Sequence, residues 1–432
     1  MSNPLVKTLK NLKGNAKACL YTEPLWGLSI KLCVPYASVY MLALGLSDTK
    51  VGLVATINMF SQMIFAFLGG PITDKLGRRK TTAIFDFIAW GIPCIIWWNA
   101  QNFWFFMAAG LLNGTMRVAA NAWDCLLVED TDKSQITGIY SLKVVAGQLA
   151  VFFTPISALL ILKFSLVPAI RILYLNAVVL VAVKIFLLYF FSSETSRGKS
   201  RIEESRHMHV FLLLPGYIGV AKSIVKNRWI VYALVMTALV RSVEIINNTF
   251  WQINVNKRLL VPDDLLPILL AVKSVIAITF LFVMAPFMNR NRLKLPLLAF
   301  ISIFFAGQLL LILNSADNPF KYVLLCVSLF CDGFGGSSLL MLCGTLVAFQ
   351  VNNEDRARIM AILHMLTMAI SSPFGWIGGI LSNFSKELPF ALNLSILFAG
   401  FLFTAIHYKR KKPPKIPLME QDVHKYISLP KK

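Results

Sequence analysis

Long, unbroken apolar runs dominate this chain. They begin near Leu25, Val51, Ala83, Phe103, Ser141, Ile170, Trp229, Leu265, Leu295, Tyr322, Ile359 and Leu388. A helix that crosses a bilayer needs about 20 apolar residues, so the pattern predicts about twelve transmembrane helices. The runs are continuous and do not alternate at every second position, as the strands of a membrane barrel do. The fold class expected is therefore an all-α membrane protein. A polar segment, Ser192 to Arg228, follows the sixth run and divides the chain. The expected organisation is a six-helix bundle over residues 1–192, a cytoplasmic linker over 193–228 with an interfacial amphipathic helix in its second part, a second bundle over 229–408, and a basic tail over 409–432.

Composition agrees with a membrane setting. Of 432 residues, 57% are hydrophobic and 15% charged, whereas soluble domains carry about 25% charge. The first 22 residues are polar and basic, with no apolar stretch before a small-residue cleavage site, so the first helix is expected to act as its own signal. Seven cysteines, mostly within helices, suit neither zinc nor a disulfide framework by spacing and are read as small packing residues.

The net charge of +21 raises the question of nucleic acid, and the position of the charges answers it. With a cytoplasmic N-terminus, 29 of the 42 Lys and Arg residues fall on the inner side, seven in outer loops and six within helices. That asymmetry matches the positive-inside rule. The basic balance thus reports topology in a cell membrane with both termini cytoplasmic. No nucleic-acid partner, metal or cofactor is expected.

The halves resemble each other. The stretch Gly69 to Lys80, "GGPITDKLGRRK", has a degenerate counterpart 215 positions on in "MAPFMNRNRLK", where Pro71 matches Pro286 and Lys75 matches Arg290. Leu111 to Gly114 faces Phe330 to Gly333 at an offset of 219, and "DKSQITGIYSL" faces "DRARIMAILHM" at 223. Two six-helix repeats related by an axis along the membrane normal are a transporter architecture.

Gly70, Asp74, Lys75, Gly77, Arg78, Arg79 and Lys80 spell G-x-x-x-D-K-x-G-R-R-K between the second and third helices. This resembles the signature loop of the major facilitator superfamily, and length, helix count and central linker agree with that family along nearly the whole chain. The resemblance implies a secondary transporter working by alternating access. It also implies that the loop latches the cytoplasmic helix ends when the cavity faces outward. Asp74 is then expected to meet the start of helix eleven, near Arg356 and Arg358, or a group near the end of helix four. The simpler alternative is a loop that only sets topology.

Charges inside apolar runs locate a site, because each costs about 2.5–3.5 kcal/mol at the bilayer centre and so faces a partner or a wet cavity. Lys31, Arg117, Lys143, Lys184, Arg241 and Lys273 are the cations; Asp86, Asp124, Glu244 and Asp332 are the acids. Asn113, Arg117, Asn121 and Asp124 follow steps that share one helical face, and Arg241, Glu244, Asn248, Trp251 and Gln252 repeat the idea on helix seven. The resemblance implies a cavity lined by helices one, four, seven and ten. A substrate site is expected from Arg117 and Arg241, whose forked donors suit an anion, with Asn121, Asn248, Trp251, Gln252 and Tyr36 adding shape. Tyr40 and Trp26 are further cavity or interface candidates. The alternative is internal bracing: Arg117 with Asp124 or Asp332, and Arg241 with Glu244. Lys31 and Lys184 are also able to snorkel to the membrane surface.

Glu244, Asp332 and Asp124 are the candidates for proton coupling, Glu244 first, since it lies one turn from Arg241. His364 is a lesser candidate. The expected function is a proton-coupled transporter of a small polar, possibly anionic solute, acting as a monomer. Sugar transport and drug efflux are alternatives, although helix five lacks the Gly-Pro run usual in multidrug antiporters of the family. A non-transporting sensor is a distant alternative. An enzyme is not expected, as neither an HExxH pair nor a Gly-x-Ser-x-Gly elbow occurs.

Overall fold

A computed structural model of the chain describes residues 9, 12–132, 135–148, 153–205, 227–266, 268, 269, 272, 294–350 and 356–410. Every regular element among them is helical. The first span comprises α1 (Gly14–Lys31) and α2 (Ala37–Ala43), and the second is α3 (Asp48–Leu76). In the third, α4 (Arg78–Asp86) runs through a π turn, Phe87–Gly91, into α5 (Ile92–Trp98). The fourth is α6 (Phe103–Asn113) with α7 (Met116–Val128), the fifth α8 (Ile136–Gln148) with α9 (Thr154–Phe164), and the sixth α10 (Leu166–Phe191). A linker helix, α11 (Ser196–Ser205), follows. The second half holds α12 (Arg228–Lys257), α13 (Lys294–Leu313), α14 (Lys321–Gln350), α15 (Arg356–Ser371) with α16 (Pro373–Phe384), and α17 (Leu388–Arg410).

Nine continuous helical stretches among the described residues are long and apolar enough to cross a membrane. The fourth and fifth spans are each divided, which is why length alone does not find them. Most of the eighth span, with Lys273, lies outside the described residues. So do the second copy of the charged loop up to residue 293, the expected interfacial segment through residue 226, and the tail beyond Arg410.

The sixth span shows how an apolar helix sorts its faces in lipid. Ile172, Leu175, Val179, Val183, Phe186 and Phe190 are exposed, at steps of three and four, while Ile170, Leu173, Ala177, Val181, Lys184 and Leu188 are buried at the same period. The helix is apolar on both faces, as a membrane span must be. Only the inner face carries a charge.

Two local irregularities set the site. Between α6 and α7 the chain kinks at Gly114, where a Cβ would meet Ser61 Oγ at 2.1 Å. The Ser61 hydroxyl sits there because it donates to the Leu111 carbonyl at 2.7 Å. In the π turn, Asn113 Nδ2 donates to the Ala89 carbonyl at 2.8 Å. Side chains thereby satisfy backbone groups that lipid cannot. The first helix departs from expectation, beginning at Gly14 rather than near Leu25. Its apolar positions Ala16, Cys19 and Leu20 pack with Trp123, Leu126, Leu127 and Ile139, and Asn15 Oδ1 accepts the Ser193 N–H at 2.8 Å. Asn15 faces protein while Lys13 and Lys17 stay exposed, so low hydropathy there did not mean an arm in water.

Candidate functional site

The charged loop ties four spans and the linker helix into one network. Gly77 ends α3 with φ +84, a conformation open to glycine, and a Cβ there would meet Glu194 Oε2 at 2.5 Å. Glu194 accepts the backbone N–H of Arg78 at 2.9 Å and of Arg79 at 3.1 Å, supplying the start of α4 with the acceptors that a helix N-terminus lacks. Arg78 pairs with Asp74 at 3.1 Å and holds Glu129, at the end of the fourth span, through Nε at 2.9 Å and Nη2 at 3.0 Å. Arg79 donates to the Tyr189 carbonyl and lies 4.0 Å from the centre of that ring. Gly70 and Lys75 lie on the last two turns of α3. Asp74 therefore reaches the end of helix four by way of Arg78. The side chains of Arg356 and Arg358, its other expected partners, lie outside the described residues.

In the middle of the molecule, α7 presents Arg117 and Asn121, α12 presents Arg241, Glu244 and Asn248, and α15 presents His364. Arg241, Asn248, Asn121 and His364 are exposed, although residues beside them on α12, Val240, Val243 and Asn247, are buried. Arg117 and Arg241 act on each other electrostatically, and both act on His364. Charges from the two halves thus lie near enough to act on one another. Arg117 Nε donates to Gln62 Oε1 at 2.9 Å; Gln62 donates to Asn58 at 2.7 Å; Asn58 donates to Asn113 at 3.0 Å. This relay of amides points the guanidinium while leaving it without a carboxylate partner among the described residues. Arg241 is different, pairing with Glu244 at 2.7 Å with its side chain 46% exposed.

The other candidates take separate places. Asn121 donates to Thr73 Oγ1 at 3.1 Å, joining α7 to the charged loop. Asp124 pairs with Lys143. Asp332 is buried and accepts from Gln308 at 2.7 Å and Asn247 at 3.2 Å, with Asn393 bridging those two amides. Neither acid braces Arg117. Tyr36, Trp251 and Gln252 are all buried, Tyr36 and Trp251 in one apolar core. Lys184 does not snorkel, since it is buried and paired with Asp86.

A closed contact between the halves lies at the end opposite the charged loop. Asp48, at the start of α3, accepts from Lys386 Nζ at 2.7 Å and from the Ser382 hydroxyl. Thr56 donates to the Ser372 carbonyl and accepts the Trp376 N–H, both at 2.8 Å. Gly52 faces Gly375 and Gly379 so closely that a Cβ on Gly52 would stand 2.2 Å from the Gly375 carbonyl oxygen. Sequence reasoning passed over these residues as loop and packing positions. The spacing Gly375-x-x-x-Gly379 was the available signal, because small residues four apart let membrane helices meet backbone to backbone.

Comparison with known proteins agrees with this architecture. A family model described as Major Facilitator Superfamily matches residues 26–252 and 243–423. The chain is similar to the uncharacterized MFS-type transporter YqjV of Bacillus subtilis, 26% identical over 134 residues, 31% of this chain and 32% of that protein. It is also similar to the quinolone resistance protein NorA of Staphylococcus aureus, 31% identical over 87 residues, 20% of this chain and 22% of that protein. These matches span about a third and about a fifth of the relatives' lengths. In structure it is similar to the nucleoside transporter NupG, with a TM-score of 0.69 at 15% identity, covering 94% of this chain and 99% of that one. The chain belongs to the Major Facilitator Superfamily and is a membrane transporter, not an enzyme.

Proposed function

We propose that this transporter moves a small organic anion, coupled to protons, as a single chain in the cell membrane with the charged loop and both termini cytoplasmic. The observation that carries the reading is Arg117. It is oriented by Gln62 at 2.9 Å, feels the charge of Arg241 from the other half, and lacks a carboxylate partner among the described residues. A guanidinium held in this way offers two donors in a fixed fork to a carboxylate or phosphate. With the Asp48 end closed, the cavity faces the cytoplasm.

Thermal stability of the detergent-purified protein tests this against organic anions, sugars and lipophilic cations. A ligand at 100 times its dissociation constant stabilises by about 2.7 kcal/mol. Stabilisation by an anion should be lost in Arg117→Gln. If sugars stabilise instead, or if the anion effect survives the substitution, the arginine is structural and the reading fails. Partial similarity to the quinolone resistance protein supports a second reading, drug efflux. Stabilisation by lipophilic cations alone would select it.

Glu244 supplies the coupling. Its carboxylate holds Arg241 at 2.7 Å, and a bound anion that takes over the guanidinium frees the acid to accept a proton, since loss of the neighbouring cation favours the neutral form. Glu244→Gln in liposomes is expected to abolish accumulation driven by a pH gradient while solute exchange continues. Undiminished pH-driven accumulation removes Glu244 from this role.

A further inference from the structure

A second charged cavity lies inside the first six-helix bundle, apart from the space between the halves. It measures about 200 Å³ and is lined by Glu23, Trp26, Trp90, Trp123, Lys143 and Lys184. These residues come from five different spans. Three indoles in so small a space are more than packing needs, and two of them, Trp26 and Trp90, meet edge to face at 5.7 Å.

The charges do not balance. Lys184 is matched by Asp86 and Lys143 by Asp124. Glu23 is 9% exposed; Lys184 and Lys143 act on it electrostatically, but each is paired with its own aspartate, and Glu23 has neither an ion pair nor a hydrogen bond among the described residues. One negative charge is therefore left over. A carboxylate with no ion pair of its own, on the wall of a cavity lined by aromatic rings, is costly unless something occupies that cavity.

We infer that this cavity binds a small organic ammonium ion, with Glu23 as its counter-charge and the three tryptophans as its walls. Tryptophan faces attract cations more strongly than other rings do, and the Trp123 ring already carries one, Lys143 Nζ, 4.6 Å from its centre. Size narrows the class. The cavity is smaller than the roughly 300–1,000 Å³ of drug-sized sites, so the ligand is of about one ring. The inference does not rest on the anion reading of the central space.

Isothermal titration of the full-length protein in detergent tests it with 4-methoxybenzylamine, a cation with one acceptor, against 4-methoxybenzyl alcohol, its neutral counterpart. The amine should bind about tenfold or more tightly than the alcohol. Glu23→Gln should erase that preference. Trp26→Leu removes one aromatic wall and should weaken the amine several-fold. Equal binding of the two compounds by the wild type overturns the inference, as does undiminished amine binding by Glu23→Gln. Should Glu23→Gln fail to yield folded protein, unchanged amine affinity in Trp26→Leu overturns it independently.

Discussion

Lys184→Met should lower the unfolding free energy by about 3–5 kcal/mol, the usual cost of removing one partner from a buried ion pair. Lys184 is 3% exposed and Asp86 6%, and each is the other's counter-ion on facing sides of the third and sixth spans. Methionine fills the space but leaves a buried carboxylate beside Trp90 without its counter-ion. The double variant Asp86→Leu/Lys184→Met should recover most of the loss, because an apolar pair of similar volume costs little once both charges are gone. Thermal unfolding in detergent measures both. A single variant as stable as wild type, or a double variant no better than the single, would show that the pair is not what holds these spans together.

The second large effect concerns the contact between the halves. Gly52→Ala places a methyl group 2.2 Å from the Gly375 carbonyl oxygen; the methyl position is fixed by the backbone and the oxygen belongs to it, so no side-chain rotation relieves the clash. Overpacking of this kind costs about 1–3 kcal/mol, and it is felt only when α3 and α16 are together. A cost confined to one state shifts the equilibrium between states by about 5- to 150-fold. Spin labels at Lys50 and Ser385 should therefore report a larger separated population in Gly52→Ala than in the wild type, and solute flux should fall in step. Unaltered distances would mean that the helices slide to make room. Stability should change little, since the open state needs no such contact.

The spans were legible because lipid demands long apolar runs whatever the neighbours are, and charges inside them were legible as exceptions. Their partners were not. Arg117, Asn121 and Asp124 share a face of α7, yet they reach Gln62, Thr73 and Lys143 respectively. Helical spacing says which way a side chain leaves its own helix and nothing about what waits there. Lys184 was readable as a snorkelling cation because sequence does not show that Asp86, 98 positions away, stands opposite. Glu23 was lost for a different reason: a helix begun at Leu25 leaves it in water. Only the packing of Cys19 and Leu20 against the fourth span brings it inside. Asp48 and Lys386 lie 338 positions apart, so no local pattern joins them.

The Asp48 contact is uneven in its construction. Lys386 Nζ also donates to the Ser382 carbonyl at 2.9 Å, and Asn254 on α12 grips the Lys386 carbonyl at 2.6 Å. Three of the four groups are thus held in position by the second half alone, as a socket, and the first half contributes a single carboxylate as the plug. Withdrawal of α3 leaves the socket assembled, so reinsertion requires no search among lysine rotamers and little entropy is lost on recapture. A gate of this design closes as fast as its helix swings.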